Sequence, residues 1–358
     1  MNGPYDGLTV GDILIRAFRR HGDRVAFEGY GGTYTYRASL DLIGRYQAVF
    51  KQLGMRRGEH IAMLNANRAE AYLAGIAAQA LGLCTTPLHT LGSLADHQFI
   101  LEDSETDWLL VDVENYADRG RELVEKVGRL RGALTLGPAD FGHDIRAGAA
   151  TAGAVSAVVE AEASDGAWLS YTGGTTGQPK GAIRSHPAFV AMVTAILADF
   201  EFPDFTNYLA VAPISHVGGT KLPAVLHLGG TVTFMNGFDP GKVLTTIEQE
   251  RISMTLLVPT MIYMLLDHPD LARRDLSSLE YLLYGASPMS PTRLVEGIER
   301  IGPVFGQLYG QTEGYPVSVL RKADHDTARP ELFTSCGHPN APFQVKPMDD
   351  ELNEQPEG

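Results

Sequence analysis

Hydrophobic and polar positions follow two rhythms along this chain: short runs of strand character, and longer stretches at helical spacing. Val10 to His21 reads as a helix and Val25 to Glu28 as a short strand. "GGTYTYRASL" then gives a turn, a brief strand and the start of a second helix near Ala38 to Leu53. Gly54 stops that helix, Gly58 marks a turn, and His60 to Leu64 predicts a buried strand. Ala69 to Leu83 is the most apolar long segment. Glu70 and Gln79 interrupt it and it is too short to span a bilayer, so a buried helix is expected. "CTTPLH" is short and β-branched, Leu94 to Leu101 reads as a polar helix, and Trp108 to Val111 as a strand. From Arg131 to Asp165 the composition drifts to alanine, glycine and acid, which predicts an exposed connection.

The middle of the chain repeats one supersecondary unit without repeating its sequence. Tyr208 to Ala212 is a strand, "PISHVGGT" a loop, "KLPAVLHL" a helix and Thr231 to Met235 the next strand. Asp239-Pro240 caps a helix to about Glu250, "MTLLVP" is a strand and "TMIYMLLDH" a helix. Tyr281 to Tyr284 is a strand, Ser290-Pro291 caps a helix to about Ile301, and Val304 to Tyr309 is the strand after it. Alternation at this spacing predicts an α/β fold with mostly parallel sheets. Four polar or Gly-rich loops follow apolar strands: Thr172 to Gly181, Pro213 to Thr220, Gly285 to Pro288 and Gly310 to Gly314. If those strands are parallel neighbours, all four loops meet at one edge, where ligands of open α/β sheets gather.

Composition narrows the function. A chain of 358 residues exceeds one small core, so two or three packed units are expected. A formal charge of −14 argues against a nucleic-acid groove or a polybasic membrane patch, though converging N–H groups and one lysine still hold a phosphate. Cys84 and Cys336 lie far apart without metal spacing and read as two reduced thiols of a cytoplasmic protein. The N-terminus lacks the pattern of a secretory signal.

The stretch "SYTGGTTGQPKGAIRSH", Ser170 to His186, concentrates four glycines and three threonines beside one lysine. Glycines let backbone N–H groups converge on an anion, threonines add donors, and Lys180 supplies a point charge. It is not a Walker A loop, because Gln178-Pro179 separate Lys180 from the last glycine before it. "YTGGTTGQPKGA" resembles the signature of the adenylate-forming superfamily: acyl-CoA synthetases, luciferases and peptide-synthetase adenylation domains. Further motifs stand in the family's order: "TYTY" at 33–36, "GMRRGEHIAMLNANRAE" at 54–70, "APISHVGG" at 212–219, "YGASPMS" at 284–290 and "YGQTE" at 309–313. Gly173 stands where most members have serine, which removes one phosphate-contacting hydroxyl.

The resemblance covers essentially the whole chain and implies two packed α/β subdomains over 1–330, with a boundary near 185. It implies the start of a small β-barrel subdomain at 331–358, with the ribose-binding aspartate, hinge and C-terminal lid absent and turnover correspondingly poor. It implies that a carboxylic acid attacks the α-phosphate of ATP, giving acyl-AMP and pyrophosphate, and that the acyl group passes to CoA. Two negative charges about 4 Å apart repel by about 1 kcal/mol in water but about 4 kcal/mol at an effective dielectric of 20, so positive charge is needed and Mg²⁺ is its expected source. In the same resemblance Thr172, Gly173, Gly174, Thr175, Thr176, Gly177 and Lys180 bind phosphate, with Lys180 also catalytic. Glu313 and Thr175 hold the metal, and Thr312 donates to the α-phosphate. Gly285, Ala286, Ser287, Tyr309, Gly310 and Gln311 form the adenine side. His216 stands between the ATP and acyl pockets, and the acyl wall comprises Gly218, Gly219, Thr220, Gly285, Gly310 and Gly314. These small residues are expected to leave room for a fatty or aryl acid. No aspartate in "APISHVGGTKLP" is placed to receive an amino group, and Asp239 is better used as a helix cap. "PLHTLGSLADHQFILEDS" also resembles actinobacterial fatty-acyl-CoA ligases. The alternatives are an acyl-AMP ligase that loads a carrier protein and a non-catalytic nucleotide-binding protein. The second is disfavoured because both Lys180 and Glu313 are present.

Overall fold

The computed structural model describes residues 7–172 and 179–355. Helix α1 (Val10–His21) opens on a capping box, in which Thr9 Oγ1 accepts from the Asp12 N–H and the Asp12 carboxylate accepts from the Thr9 N–H. Strands β1 (Val25–Gly29) and β2 (Tyr34–Thr35) and helix α2 (Tyr36–Gln52) follow. The next strands are β3 (His60–Leu64), β4 (Cys84–Pro87), β5 (Trp108–Val111), β6 (Gly132–Thr135), β7 (His143–Asp144), β8 (Gly166–Thr172) and β9 (Lys180–Ser185). Between and after them run α3 (Ala69–Ala80), α4 (Leu94–Asp103), α5 (Val113–Lys126), α6 (Ile145–Thr151) and α7 (His186–Asp199). The second half alternates β10 (Asn207–Ala210), α8 (Leu222–His227), β11 (Thr231–Phe234), α9 (Pro240–Gln249), β12 (Met254–Leu257) and α10 (Pro259–Leu266). It continues through β13 (Tyr281–Gly285), α11 (Pro291–Ile301), β14 (Phe305–Tyr309), β15 (Ser318–Leu320) and β16 (His338–Pro339).

Among the described residues these strands form two sheets. The seven-stranded sheet has the order β7-β6-β5-β3-β4-β8-β9 and is parallel except for the β8–β9 hairpin. The nine-stranded sheet has the order β16-β15-β14-β13-β12-β10-β11-β1-β2, parallel from β14 to β1 and antiparallel at its edges. The fold is therefore α/β with mixed, mostly parallel sheets. No described helix is long and apolar enough to cross a membrane.

The sheets share one core. Ile61, Met63 and Leu110 enter it from one side, Tyr208, Val232 and Met254 from the other, with Leu14, Leu73, Met192 and Val225 of α1, α3, α7 and α8 between them. Ten of the twelve residues of α3 are buried, as expected of a helix apolar on every side. Outside this layer, α9, α10 and α11 cover the nine-stranded sheet through Val243, Ile262 and Leu294. Ile100, Leu101 and Leu123 of α4 and α5 cover the other sheet.

Three expectations change. Arg131 to Asp165 is not simply an exposed connection: it carries β6, β7 and α6, with Leu134 and Ile145 fully buried. The strand before the glycine-rich loop, β8, is not a parallel neighbour of β10, β13 and β14. It belongs to the other sheet and pairs antiparallel with β9. Near residue 185 the chain passes from β9 to α7, yet β1 and β2, from the first forty residues, complete the second sheet. In 331–358, β16 pairs with β15 at the edge of the nine-stranded sheet, and Met348 bridges Glu354 in isolation.

Candidate active site

The sheets face each other across a cleft of about 410 Å³. The hairpin of one sheet contributes Ser170, Tyr171 and Arg184. The other contributes the loops beyond the carboxyl ends of β10, β13 and β14, with His216, Gly218, Thr220, Ala286, Gly310, Gln311 and Thr312. Trp168, Val258 and Met261 add apolar walls. A second, apolar cavity of about 60 Å³ lies behind and shares Pro87, Trp168 and Ser215 with the cleft.

Two side chains tie the sheets together around this cleft. Asn67, buried in the loop between β3 and α3, donates through Nδ2 to the carbonyls of Ala210 (3.0 Å) and Ala212 (3.1 Å) and accepts the Ile214 N–H through Oδ1 (2.9 Å). It thus fixes the loop that carries His216. Arg184 Nη2 on β9 donates to the Thr312 carbonyl at 3.1 Å, joining the hairpin to the loop after β14.

His216 Nδ1 is hydrogen-bonded to Ser215 Oγ at 2.8 Å, and its ring meets His89 edge-on at 4.6 Å between centroids. Loss of hydration, with a smaller contribution from the neighbouring His89, pushes its pKa down to about 4. His216 is solvent-exposed in the cleft, so water softens this depression, but a ring lowered from the ordinary histidine value is neutral near pH 7.

Four of the five acyl-wall glycines do not widen the pocket, Gly314 alone having room for a Cβ. A Cβ at Gly218 would meet the Ala212 carbonyl oxygen at 2.8 Å, one at Gly219 would overlap the Ile214 carbonyl oxygen, and one at Gly285 the Leu308 carbonyl oxygen. At Gly310 it would meet Tyr315 Cδ2 at 2.6 Å. These positions are small because backbone or ring passes against them, which corrects the expectation that they make space for substrate. Ala286 holds φ +67°, a left-handed conformation that costs a non-glycine residue roughly 1–2 kcal/mol, at the end of β13 beside the cleft.

Of the residues singled out in the sequence, the cleft brings together His216, Gly218, Thr220, Ala286, Gly310, Gln311 and Thr312. Gly219 lines the smaller cavity, Gly285 is buried in its strand, and Ser287 is exposed beyond it. Tyr309 stands 47% exposed at the end of β14, next to Gly310 of the cleft. Gly314 closes a turn with Gln311, their N–H groups and carbonyls exchanging bonds of 3.0 and 3.1 Å. Thr172 and Lys180 pair across the hairpin and frame its loop, Lys180 exposed. Gly173, Gly174, Thr175, Thr176 and Gly177 lie outside the described residues. Glu313 sits exposed on the Gln311–Gly314 turn without a hydrogen bond from a described residue. A carboxylate so placed fits Mg²⁺, which binds through one or two carboxylates plus substrate phosphates. Sequence reasoning missed Asn67, Arg184, Lys221 and Tyr315. The one legible signal was Lys221, a charge set inside the apolar run "GGTKLPAVL".

The sequence profile of the AMP-binding enzymes matches residues 14–358. The chain belongs to the AMP-binding enzyme family. It is 39% identical, over 351 residues and 95% of its length, to the medium/long-chain-fatty-acid–CoA ligase FadD8 of Mycobacterium tuberculosis, and spans 60% of that protein. It is 31% identical to a feruloyl-CoA synthase of Amycolatopsis, over 88% of this chain and 62% of the relative. The amide bond synthetase McbA of Marinactinospora thermotolerans superposes with a TM-score of 0.88 at 30% identity, covering 96% of this chain and 68% of that one. The N-terminal domain of FACL13 from Mycobacterium tuberculosis shares the fold at a TM-score of 0.85 and 22% identity, over 97% and 86% of the two chains. In this AMP-binding enzyme the stem of the glycine-rich hairpin and the loops after β10, β13 and β14 thus line two faces of one cleft.

Proposed function

We propose that this enzyme activates a carboxylic acid as its acyl-adenylate at the expense of ATP and that the acyl group passes to CoA. The observation that carries the reading is the cleft itself, where the stem of the glycine-rich hairpin faces the loops after β10, β13 and β14. A carboxylate oxygen of the acid attacks the α-phosphorus, the bond to the bridging oxygen breaks, and pyrophosphate leaves. The CoA sulfur then attacks the acyl carbon and AMP departs with the bonding electron pair.

In this reading Lys180 and the loop it ends hold the β- and γ-phosphates, and Thr312 donates its hydroxyl to the α-phosphate. Glu313 holds Mg²⁺, which offsets the charge gathered where carboxylate meets phosphate. His216, with Nδ1 engaged by Ser215, offers Nε2 to the cleft and separates the nucleotide from the acyl side. Its neutrality matters, since a cation there would hold the attacking carboxylate back. The apolar walls at Trp168, Val258 and Met261 suit a fatty or aryl acid. FadD8 and feruloyl-CoA synthase, named for one acid of each kind, support that class. The free thiols Cys84 and Cys336 fit a cytoplasmic setting.

Calorimetric titration of the chain with MgATP tests the reading. Lys180→Glu should weaken binding roughly tenfold or more, the loss expected for a hydrogen bond to a charged group. Glu313→Gln should weaken binding when Mg²⁺ is present and leave it unchanged in EDTA. Equal affinity in wild type and Lys180→Glu would overturn the assignment.

A further inference from the structure

The cleft and the layer behind it hold two basic side chains to which the reading above gives no role. Lys221 is fully buried. Its Nζ donates to Thr220 Oγ1 at 2.9 Å and is hydrogen-bonded to the Tyr315 hydroxyl. The rings of Tyr315 and Phe200 stand 4.6 and 5.3 Å from it. No carboxylate among the described residues compensates it, and burial holds its pKa well below the ordinary lysine value. Thr220 and Tyr315 are cleft wall, so Lys221 lies one layer behind the surface that a substrate would touch.

Arg184 lines the cleft itself, near Tyr315. A guanidinium has five N–H donors. The Thr312 carbonyl takes one, and no acid among the described residues pairs with the rest. In a chain with 43 acidic and 29 basic residues, two basic side chains flanking one tyrosine without a carboxylate are an exception. Elsewhere a buried arginine such as Arg68 has Glu70 and Asp112 against it. Tyr315 is in turn fixed from above, since its ring fills the space a Cβ at Gly310 would need. A purely hydrocarbon acyl group would strip water from these donors and return nothing, at a cost.

We propose that the acyl group of the substrate carries a second oxygen function remote from the reacting carboxylate, a carbonyl or a further carboxylate, bound by Tyr315 and Arg184. Lys221 is a positioning residue that orients and polarises the Tyr315 hydroxyl from behind. This assignment rests on the acid-activating reading above and specifies its substrate class.

The test uses three acyl-sulfamoyladenosines of equal chain length, stable mimics of the acyl-adenylate: octanoyl, 7-oxooctanoyl and 7-carboxyheptanoyl. Calorimetry on the chain should show at least one oxygenated analogue binding roughly tenfold tighter than the octanoyl one, the worth of a hydrogen bond to a charged or polarised donor. Which of the two wins separates a carbonyl from a carboxylate. Tyr315→Phe and Lys221→Met should each bring that ratio near one, while Lys221→Gln, which keeps a donor, retains part of it. The ratio within one variant is the readout, so a general loss of affinity does not imitate the result. Thermal denaturation of Lys221→Met, expected to melt at or above wild type because an uncompensated buried amine is removed, shows that the variant folds. The proposal fails if octanoyl binds as well as both oxygenated analogues, or if neither Tyr315→Phe nor Lys221→Met alters the ratio. Binding of none of the three overturns the acid-activating reading, and this one with it.

Discussion

At the residue scale, buried histidines give this enzyme an acid-sensitive stability. His186 is fully buried at the start of α7, its Nδ1 accepting the Val10 N–H at 3.2 Å and its Nε2 without a partner among the described residues. Burial lowers its pKa against a weaker opposing pull from Asp165 and Asp12. The folded state therefore binds fewer protons than the unfolded chain just below the unfolded histidine pKa of about 6.5. The stabilisation is full above that value and is lost as pH falls toward the lowered one. Protonation at Nδ1 would also remove the acceptor for Val10. Urea titrations at pH 7.5 and pH 5.0 should show His186→Gln losing more stability relative to wild type at the higher pH. An equal difference at both would refute the account. Neither this role nor that of Asn67 was legible beforehand, because a single polar residue carries no periodic signal and its partners are distant in sequence.

At the scale of elements, the site depends on loops held in place by side chains from the opposite sheet. Asn67 gives three backbone groups at the end of β10 their partners. Asn67→Ala leaves the Ala212 carbonyl and the Ile214 N–H buried and unsatisfied, while the Ala210 carbonyl keeps the Met235 N–H, at an expected cost of about 2–4 kcal/mol. Asn67→Asp should be worse, because its carboxylate would face the carbonyls of Ala210 and Ala212. The urea midpoint measures both, and an alanine variant as stable as wild type would remove the docking role. Where an element buries its own face, the sequence was a good guide: α1, α3, β3 and β5 lie within a few residues of their expected bounds. Asp239 caps α9 as read, accepting the Lys242 N–H at 2.7 Å. The reading left out whole helices, α5 and α7, along with short strands such as β6 and β7, two to four residues long. The burial of β6 comes from pairing, Leu134 opposite Leu110, and not from any pattern of its own. Sheet membership was illegible for the same reason. Nothing local in Phe27 says that its partner is Val232.

At the scale of the molecule, the shared helical layer makes the cleft a property of both sheets together. The core between them takes side chains from strands of each, together with Leu14 and Phe18 of α1 and Ile43 and Phe50 of α2. Neither sheet keeps its inner face covered if the other opens, so unfolding is expected in one cooperative step despite the length of the chain. The two tryptophans allow a direct test, because Trp108 and Trp168 both lie in the seven-stranded sheet. Their fluorescence follows that sheet alone, whereas far-UV circular dichroism follows both. Coincident midpoints in urea are expected, and fluorescence midpoints separated from the dichroism would show that the sheets unfold independently. Saturating MgATP sharpens the test. A ligand held by the hairpin of one sheet and the loops of the other stabilises by mass action only the state in which both are folded, so the two midpoints should rise together. A rise in fluorescence alone would place the nucleotide on the hairpin side only, and the cleft would lose its claim to be the site.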